Sequence, residues 1–209
     1  MSESVKFPFT EKLKSIPGFF GIRLEEKPAY AVLEDIGDVE IRRYEQSLLA
    51  QITLPGTHDE ALDAAFDRLA RYIYGGNAEG ENLEMTNPVY HRHELRTQDA
   101  SMRPQGDAWT MAFFLANNML PGEAPAPVDP AIELVTEPEH VVAVLRYTGN
   151  DSDEKREKYR VRLLEAVRGH ARWAVDQDVY WAQYDAPFTL PFLKRNEAMV
   201  ALVERPGLS

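Results

Sequence analysis

The chain repeats one pattern twice, and this repeat limits the folds that it can adopt. In each half, segments that alternate apolar and polar residues precede a capped amphipathic segment, and further alternating segments follow it. A period of two is typical of strands, whereas apolar residues three and four apart are typical of helices. Because the strands come in runs, the pattern predicts an α+β domain in which one sheet carries two helices.

The first half contains the clearer helix signal. Strands are predicted at residues 30–35, 39–44 and 48–54. Thr57 and Glu60 then have the spacing of a capping box, and the helix that they begin ends at the glycine pair 75–76. Two more strands are predicted at residues 83–95 and 109–115.

The second half gives the same order of elements. The predicted elements are strands at 131–136 and 140–147, a helix at 155–169, and strands at 178–183 and 197–203. Four prolines at 121–130 predict an irregular crossover between the halves. Prolines and glycines in residues 1–28 predict an irregular N-terminal arm, which leaves residues 29–209 as a single domain.

Charge and composition exclude several function classes. Acidic residues outnumber basic ones by 34 to 23, and the net charge of −11 opposes binding to nucleic acid or to anionic lipid. The lack of cysteine excludes thiolate metal sites, iron–sulfur clusters and disulfides. No signal peptide and no apolar run of about 18 residues is found. We therefore expect a cytoplasmic protein whose partner is a small molecule, while the oligomeric state stays open.

Histidines are the first candidates for metal ligation. His91 and His93 share one face of a predicted strand and could share an ion, although a solvated strand face explains the pair as well. His58 lies on the same helical stripe as Leu62 and Leu69, at the entry of the apolar face. An imidazole at the rim of an apolar cavity suits an axial ligand of haem iron. A polar first turn of the helix is the alternative.

Two carboxylates in otherwise apolar strands are candidates for acid–base chemistry. Burial would raise the pKa of Glu84 or Glu197, and either could then act as a general acid or base. Each could equally face water or pair with an arginine. No serine-hydrolase elbow, P-loop or dinucleotide fingerprint is present, which argues against an enzyme. The two carboxylates keep the question open. A hydrolase of small molecules with Glu197 as general base is the alternative to a binding protein.

Eight short segments resemble one known family, and they occur in that family's order. They are residues 40–44, 65–66, 72–77, 85–89, 111–115, 125–130, 184–187 and 195–197. Together they span about residues 30–204, and this co-linear set resembles the SOUL haem-binding protein family. The resemblance implies a twisted antiparallel, partly barrel-like sheet with two helices and a pseudo-two-fold repeat. That fold is similar to the effector-binding domains of bacterial regulators.

The resemblance also implies a function and a pocket. It implies reversible binding of haem b or a related tetrapyrrole by a carrier or buffer, in a shallow pocket between the first helix and the loop before the last strand. The positions that correspond to the pocket are Leu62, Phe66, Leu69, Ala70, Arg71, Tyr184 and Lys194. Some members carry a histidine where Arg43 stands here. The iron would therefore be bound without a protein ligand or by His58.

Overall fold

The computed structural model describes residues 26–94, 107–117, 119, 122–185 and 189–206, so residues 1–25 of the predicted arm lie outside the described residues. The elements of this part are β1 (Tyr30–Ile36), β2 (Val39–Tyr44), β3 (Ser47–Pro55), α1 (His58–Ile73), β4 (Val89–His93), β5 (Ala108–Phe114), β6 (Glu133–Glu137), β7 (His140–Thr148), α2 (Asp153–Val167), β8 (Trp173–Val175), β9 (Tyr180–Gln183), a 3₁₀ turn (Pro191–Leu193) and β10 (Arg195–Glu204). Both predicted helices and most predicted strands are present.

The described strands form one antiparallel sheet in the order β1-β2-β7-β10-β9-β4-β5-β3-β6, with β8 also paired to β10. One structural unit runs β2-β3-α1-β4-β5, and the other runs β6-β7-α2-β9-β10. The first strand of each unit pairs with the second strand of the other, β2 with β7 and β6 with β3. Pairing of β4 with β9, here called the seam, joins the units. The predicted α+β fold with its pseudo-two-fold repeat is confirmed.

Both helices lie on one face of the sheet, on either side of the seam. Helix α1 packs on β3 and β5, and α2 packs on β7, β8 and β10. Thr57 and Glu60 form the predicted capping box at α1, and the Ser152 side chain caps α2. Within the described residues, neither helix has the length and apolarity needed to cross a bilayer.

Two rows of side chains define the faces of the sheet. On the helix face, Met111, His91, Trp181 and Ala198 lie side by side across β5, β4, β9 and β10. On the opposite face, the corresponding row is Ala112, Tyr90, Ala182 and Glu197. Because side chains alternate along a strand, neighbours in sequence such as Tyr90 and His91 have entirely different surroundings.

Some predicted boundaries are wrong. The strand predicted at 83–95 is limited to Val89–His93 in the described residues, because Pro88 has no amide hydrogen to donate to a ladder. Met85, in the excluded part, instead packs against the core under α1. Strand β8 was not predicted, since three residues carry little periodic signal.

The remaining predictions concern the segments that connect the helices and strands. Residues 122–130 contain no helix or strand, as expected for the proline-rich crossover. At the described end of the N-terminal segment, the Asn117 backbone and side chain both donate hydrogen bonds to the Glu26 carboxylate, at 2.7 and 2.6 Å. The backbone amide of Asn87 donates to the Glu26 carbonyl oxygen. These contacts fix the chain just before β1.

Candidate functional site

The predicted pocket residues of α1 divide into core and surface. Leu62, Leu69 and Ala70 are buried in the core between α1 and the sheet. Phe66 is half-buried, and its ring packs edge-on against Phe113 at 5.5 Å. Arg71 is exposed. Of the apolar positions, only Phe66 can therefore contribute to a surface pocket without opening the core.

The loop between β9 and β10 carries the other predicted pocket residues. Tyr184 is buried on the opposite face, where its hydroxyl donates a 2.7 Å hydrogen bond to Glu197. Lys194 is half-buried at the start of β10, whereas Leu190 and Phe192 are 44% and 72% exposed. The sheet thus separates the Tyr184 ring from the apolar wall of α1, while Leu190 and Phe192 give the loop an apolar surface.

The α1 wall and this loop nevertheless lie at the same end of the sheet. Phe66 packs on Phe113, Phe113 pairs with Val89, and Val89 pairs with Gln183, which directly precedes the loop. Two strand spacings of about 4.8 Å put the start of the loop roughly 10 Å across the sheet from Phe113. Pro191–Leu193, farther along the loop, contact β7, which lies two strands beyond β9. On the helix face, this span has α1 on one side and the start of the loop on the other.

His58 faces the interior of the protein. Its Nδ1 lies 2.7 Å from the Asp59 carboxylate, and its Nε2 is buried without a hydrogen-bond partner among the described residues. The Trp109 ring packs edge-on against the imidazole at 4.7 Å. Both nitrogens are therefore enclosed or engaged, and this geometry offers no open side of the ring to a haem iron. An axial role for His58 stays a prediction that the structure does not favour.

Glu197 is fully buried at the centre of a hydrogen-bond network on the opposite face. Arg42 donates to both carboxylate oxygens at 3.1 and 3.2 Å. Arg195 donates twice to Oε1, at 3.2 and 2.5 Å, and Tyr184 donates to Oε2. Arg42 also donates to the Tyr44 hydroxyl at 3.1 Å. Every polar contact of this carboxylate is thus an ion pair or a hydrogen bond to a side chain.

This network overturns the expectation of a raised pKa. Burial by itself raises the pKa of Glu197, but the charges and hydrogen bonds of Arg42 and Arg195 outweigh it and hold the pKa below its usual value. An ionised carboxylate with five donor contacts has no free lone pair with which to activate water. Glu84, the other candidate, is exposed. The geometry therefore gives no support to a hydrolase with Glu197 as general base.

A small cleft opens on the opposite face, beside this network. Its volume is about 90 Å³, and its walls include Tyr44, Leu49, Tyr90, Tyr180 and Met199. Burial raises the pKa of Tyr90 and of Tyr180, so both phenols stay neutral donors. The cleft is too small to hold a porphyrin without rearrangement, because pockets for drug-sized ligands measure about 300 Å³ or more.

His91 and His93 share one face of β4 as predicted, but they do not share a site. His91 is 1% exposed, whereas His93 is half-buried with Nε2 3.5 Å from the Asp107 carboxylate. In space, His91 lies against His58, with ring centroids 5.3 Å apart. Its Nε2 is 4.0 Å from Oδ2 of Asp151.

Two residues at the centre of these clusters were missed from the sequence. Arg42 carried no local signal, because its partner Glu197 is 155 residues away. Asp151 lies in the connection between β7 and α2, where the sequence gives no sign that its carboxylate meets two histidines. Only the strand order brings either residue to its partners.

Comparisons with known proteins cover most of the chain. The model of the SOUL heme-binding protein family matches residues 25–201. The chain is 25% identical to Heme-binding protein 2 of Mus musculus over 176 residues, which are 82% of each chain. It is 26% identical to Heme-binding protein 1 of Mus musculus over 139 residues, 66% of this chain and 70% of that one.

A solved structure with a similar fold is the EcmrR C-terminal domain, with a TM-score of 0.57 and 9% identity. The similarity covers 84% of this chain and 99% of that domain, and at this identity it concerns the fold alone. It agrees with the predicted likeness to bacterial effector-binding domains. From the family match over residues 25–201, the chain belongs to the SOUL heme-binding protein family.

Proposed function

We propose that the protein is a cytoplasmic carrier or buffer that reversibly binds haem, either haem b or a related tetrapyrrole. The observation that carries this proposal is the family match over residues 25–201, supported by two relatives that are named for heme binding. When bound, haem supplies a redox-active iron, and the residues of this chain hold and orient the ring.

The site that best suits a flat apolar ring lies between α1 and the loop before β10. Phe66 supplies a half-buried aromatic edge, and Leu190 and Phe192 supply exposed apolar surface at the same end of the sheet. Exposed large apolar side chains that lie close together are typical of binding surfaces. Burial of Phe192 beneath a ring would remove its contact with water, and this favours binding.

Charged residues at this site set the expected affinity. Arg71 and Lys194 can approach the propionates of a ring held there, and such charge-assisted contacts are stronger than neutral ones. Asp63 and Asp67 are exposed on α1 and repel the same propionates. We therefore expect micromolar rather than nanomolar binding.

The iron would have no histidine ligand at this place. His140 begins β7, and the last residue of β7, Thr148, pairs with Arg195 beside the loop, so His140 lies toward the other end of the sheet. His170 lies there too, because its carbonyl oxygen accepts from Arg205, just beyond the far end of β10. His58 and His91 face each other on the helix face. The ring is held by apolar contacts and propionate pairing, so the iron-free porphyrin should bind about as well as haem.

A titration of the haem-free protein tests the proposal. Ferric haem should give a saturable shift of the Soret band at one ring per chain, and protoporphyrin without iron should bind with an affinity within about threefold. Phe192→Ala and Lys194→Glu should each weaken binding about tenfold, which corresponds to roughly 1.4 kcal/mol. Lys158→Glu is the matched control, because Lys158 is an exposed lysine on α2.

Two results would contradict the proposal or part of it. An unchanged Soret band at micromolar concentrations would end the haem proposal. Equal affinity in Phe192→Ala, Lys194→Glu and Lys158→Glu would remove the site between α1 and the loop. A low-spin spectrum that is lost in His58→Ala would make His58 the axial ligand after all.

A further inference from the structure

Three potential metal ligands meet on the helix face, between the two helices. His58 begins α1, His91 lies in the seam strand β4, and Asp151 lies just before α2. Nε2 of each histidine is 4.0 Å from Oδ2 of Asp151, and the three ligand atoms lie within 4.8 Å of one another. This cluster adjoins the span proposed for haem, because Gln183, which borders that span, donates to Asp151.

Three of the four imidazole nitrogens of this cluster are buried and lack a hydrogen-bond partner among the described residues. Neither ring nitrogen of His91 has a hydrogen-bond partner among the described residues, and neither does Nε2 of His58. Buried polar atoms in proteins nearly always have a partner. A neutral imidazole has one N–H and one nitrogen with a lone pair, so the two rings can each offer one lone pair to an electron-pair acceptor at this place.

The orientation of the His58 ring favours a cation over an anion. Nδ1 of His58 lies 2.7 Å from the Asp59 carboxylate, which is a geometry for donating its proton outward and leaving a lone pair on Nε2. Histidine that is oriented by a carboxylate is the usual arrangement around protein-bound zinc.

The Asp151 carboxylate is the third potential ligand. Tyr147 donates to its Oδ1 at 3.1 Å, and Arg156 and Gln183 donate to its Oδ2. A carboxylate has about four acceptor sites, so three are used and the open one lies on Oδ1. An ion at Oδ2, the atom nearest both histidines, therefore displaces the Gln183 donor, whose hydrogen bond is 3.3 Å long. The nearby Arg156 guanidinium opposes a cation.

The charges around Arg156 offset that opposition. Arg156 is also paired with Asp153, and Asp59 contacts His58. These three carboxylates and one guanidinium leave a formal charge of −2, equal and opposite to that of a divalent ion.

We propose that His58, His91 and Asp151 bind a divalent transition-metal ion, with zinc as the best match. Ligand atoms bound to tetrahedral zinc at about 2.0–2.1 Å lie about 3.4 Å apart, so the 4.0 Å separations must close by about 0.6 Å. Two imidazoles and one carboxylate suit zinc and its neighbours, and they leave at least one position for water or a small ligand.

Aromatic packing holds the two imidazoles in place. The Trp109 ring lies edge-on to His58 at 4.7 Å, and Trp181 is stacked on His91 at 5.7 Å. Fixed ring orientations reduce the entropy that is lost when the ligands bind an ion. The indole nitrogen of Trp181 is a further buried donor without a partner among the described residues.

Cobalt is the probe for the test, because Co²⁺ has visible bands that report its coordination, whereas Zn²⁺ has none. The haem-free, chelator-treated full chain is titrated with Co²⁺. We expect one equivalent per chain with the strong bands of four- or five-coordinate cobalt. Added Zn²⁺ should displace it and remove the bands. No haem is present, so failure here leaves the haem proposal untouched.

Variants assign the ligands. His91→Leu and His58→Ala should each weaken Co²⁺ binding by at least about 100-fold. Leucine fills the buried position of His91 with an apolar side chain of similar size. Asp59→Asn should weaken it by about tenfold, as expected for a residue that orients a ligand. His93→Ala is the matched control on the same strand and should bind like the wild-type protein. Circular dichroism checks that each variant is folded, and the exposed position of Asp59 provides a variant that leaves the core intact.

Two outcomes would overturn the proposal. The first is the absence of stoichiometric Co²⁺ and Zn²⁺ binding by the wild-type protein. The second is equal binding by wild type, His58→Ala and folded His91→Leu, which would assign the ion to surface carboxylates.

Discussion

Two buried ionisable residues near the seam differ in their hydrogen bonding. Glu197 is fully buried on the opposite face of the sheet and receives five donor contacts from three side chains. His91 is 1% exposed on the helix face, and neither ring nitrogen has a partner among the described residues. Only two strand pairings separate β4 from β10.

This difference distinguishes a paired site, the network around Glu197, in which every polar atom has a partner, from a receptive site, the cluster around His91, in which polar atoms lack one. A buried charge that is completely paired fixes the strands that contribute to it and has no capacity for a ligand. A buried neutral ring with free lone pairs costs stability until something binds it. Polar burial alone therefore does not identify a functional site, and the number of unfilled partners is the better guide.

The largest expected effect on the free energy of unfolding comes from removing the carboxylate of the paired site. Glu197→Ala removes the buried partner of Arg42 and leaves it only the partly exposed Glu40 carboxylate, and loss of one partner of a buried pair costs about 3–5 kcal/mol. Urea denaturation measures this as a fall in the free energy of unfolding. Glu84→Ala removes an exposed carboxylate and should stay within about 0.5 kcal/mol of wild type. Equal stability of the two variants would mean that the network contributes nothing.

The second effect comes from filling the receptive site. Zn²⁺ at 100 times its dissociation constant should stabilise the wild-type protein by about 2.7 kcal/mol, because it binds the folded chain alone. The gain should disappear in His58→Ala and on addition of a chelator. Stabilisation of equal size in His58→Ala would show that the ion binds elsewhere.

A smaller effect contrasts single side chains in the two sites. Tyr184→Phe removes one hydrogen bond to the Glu197 carboxylate, and we expect a loss of about 1.5–3 kcal/mol in the free energy of unfolding. His91→Leu in chelator removes two unpartnered nitrogens, so stability should stay unchanged or rise by about 1 kcal/mol. A large loss in His91→Leu would show that its nitrogens are already satisfied.

The smallest effect is a pH dependence of the paired site. The pKa of Glu197 is lowered in the folded protein, because Arg42 and Arg195 outweigh burial, so the unfolded chain binds its proton first as pH falls. Its contribution is therefore complete above the unfolded pKa of about 4.3 and is lost as pH falls through the folded value. Below pH 4.3, the free energy of unfolding of Glu197→Gln should fall less steeply than that of wild type. The difference is at most about 1.4 kcal/mol per pH unit.

The fold was largely predictable because its signals are local. The capping box of Thr57 and Glu60 marked the start of α1, and the stripe through Leu62 and Leu69 is buried as predicted. Family resemblance was confirmed over residues 25–201. The strand predicted at 83–95 failed where Pro88 interrupts a run whose composition suits a strand.

The sites were less predictable because their partners are distant in sequence. Glu197 was a candidate with a raised pKa, and this was wrong because Arg42 of β2 and Arg195 surround the carboxylate. His91 was paired with His93 by spacing, whereas its neighbour in space is His58. The position of His58 on an apolar helical stripe was the one available signal that it is buried.

By itself, the sequence determined the two repeated units, the cap of α1 and the face that each side chain takes, since these depend on local spacing and on periods of two and 3.6 residues. Tertiary structure alone decided which faces meet. The β4–β9 seam brings His91 between two helix starts, and the β10–β7–β2 order brings Arg42 to Glu197. Strand order depends on the burial summed over the whole sheet, and no local period records that sum.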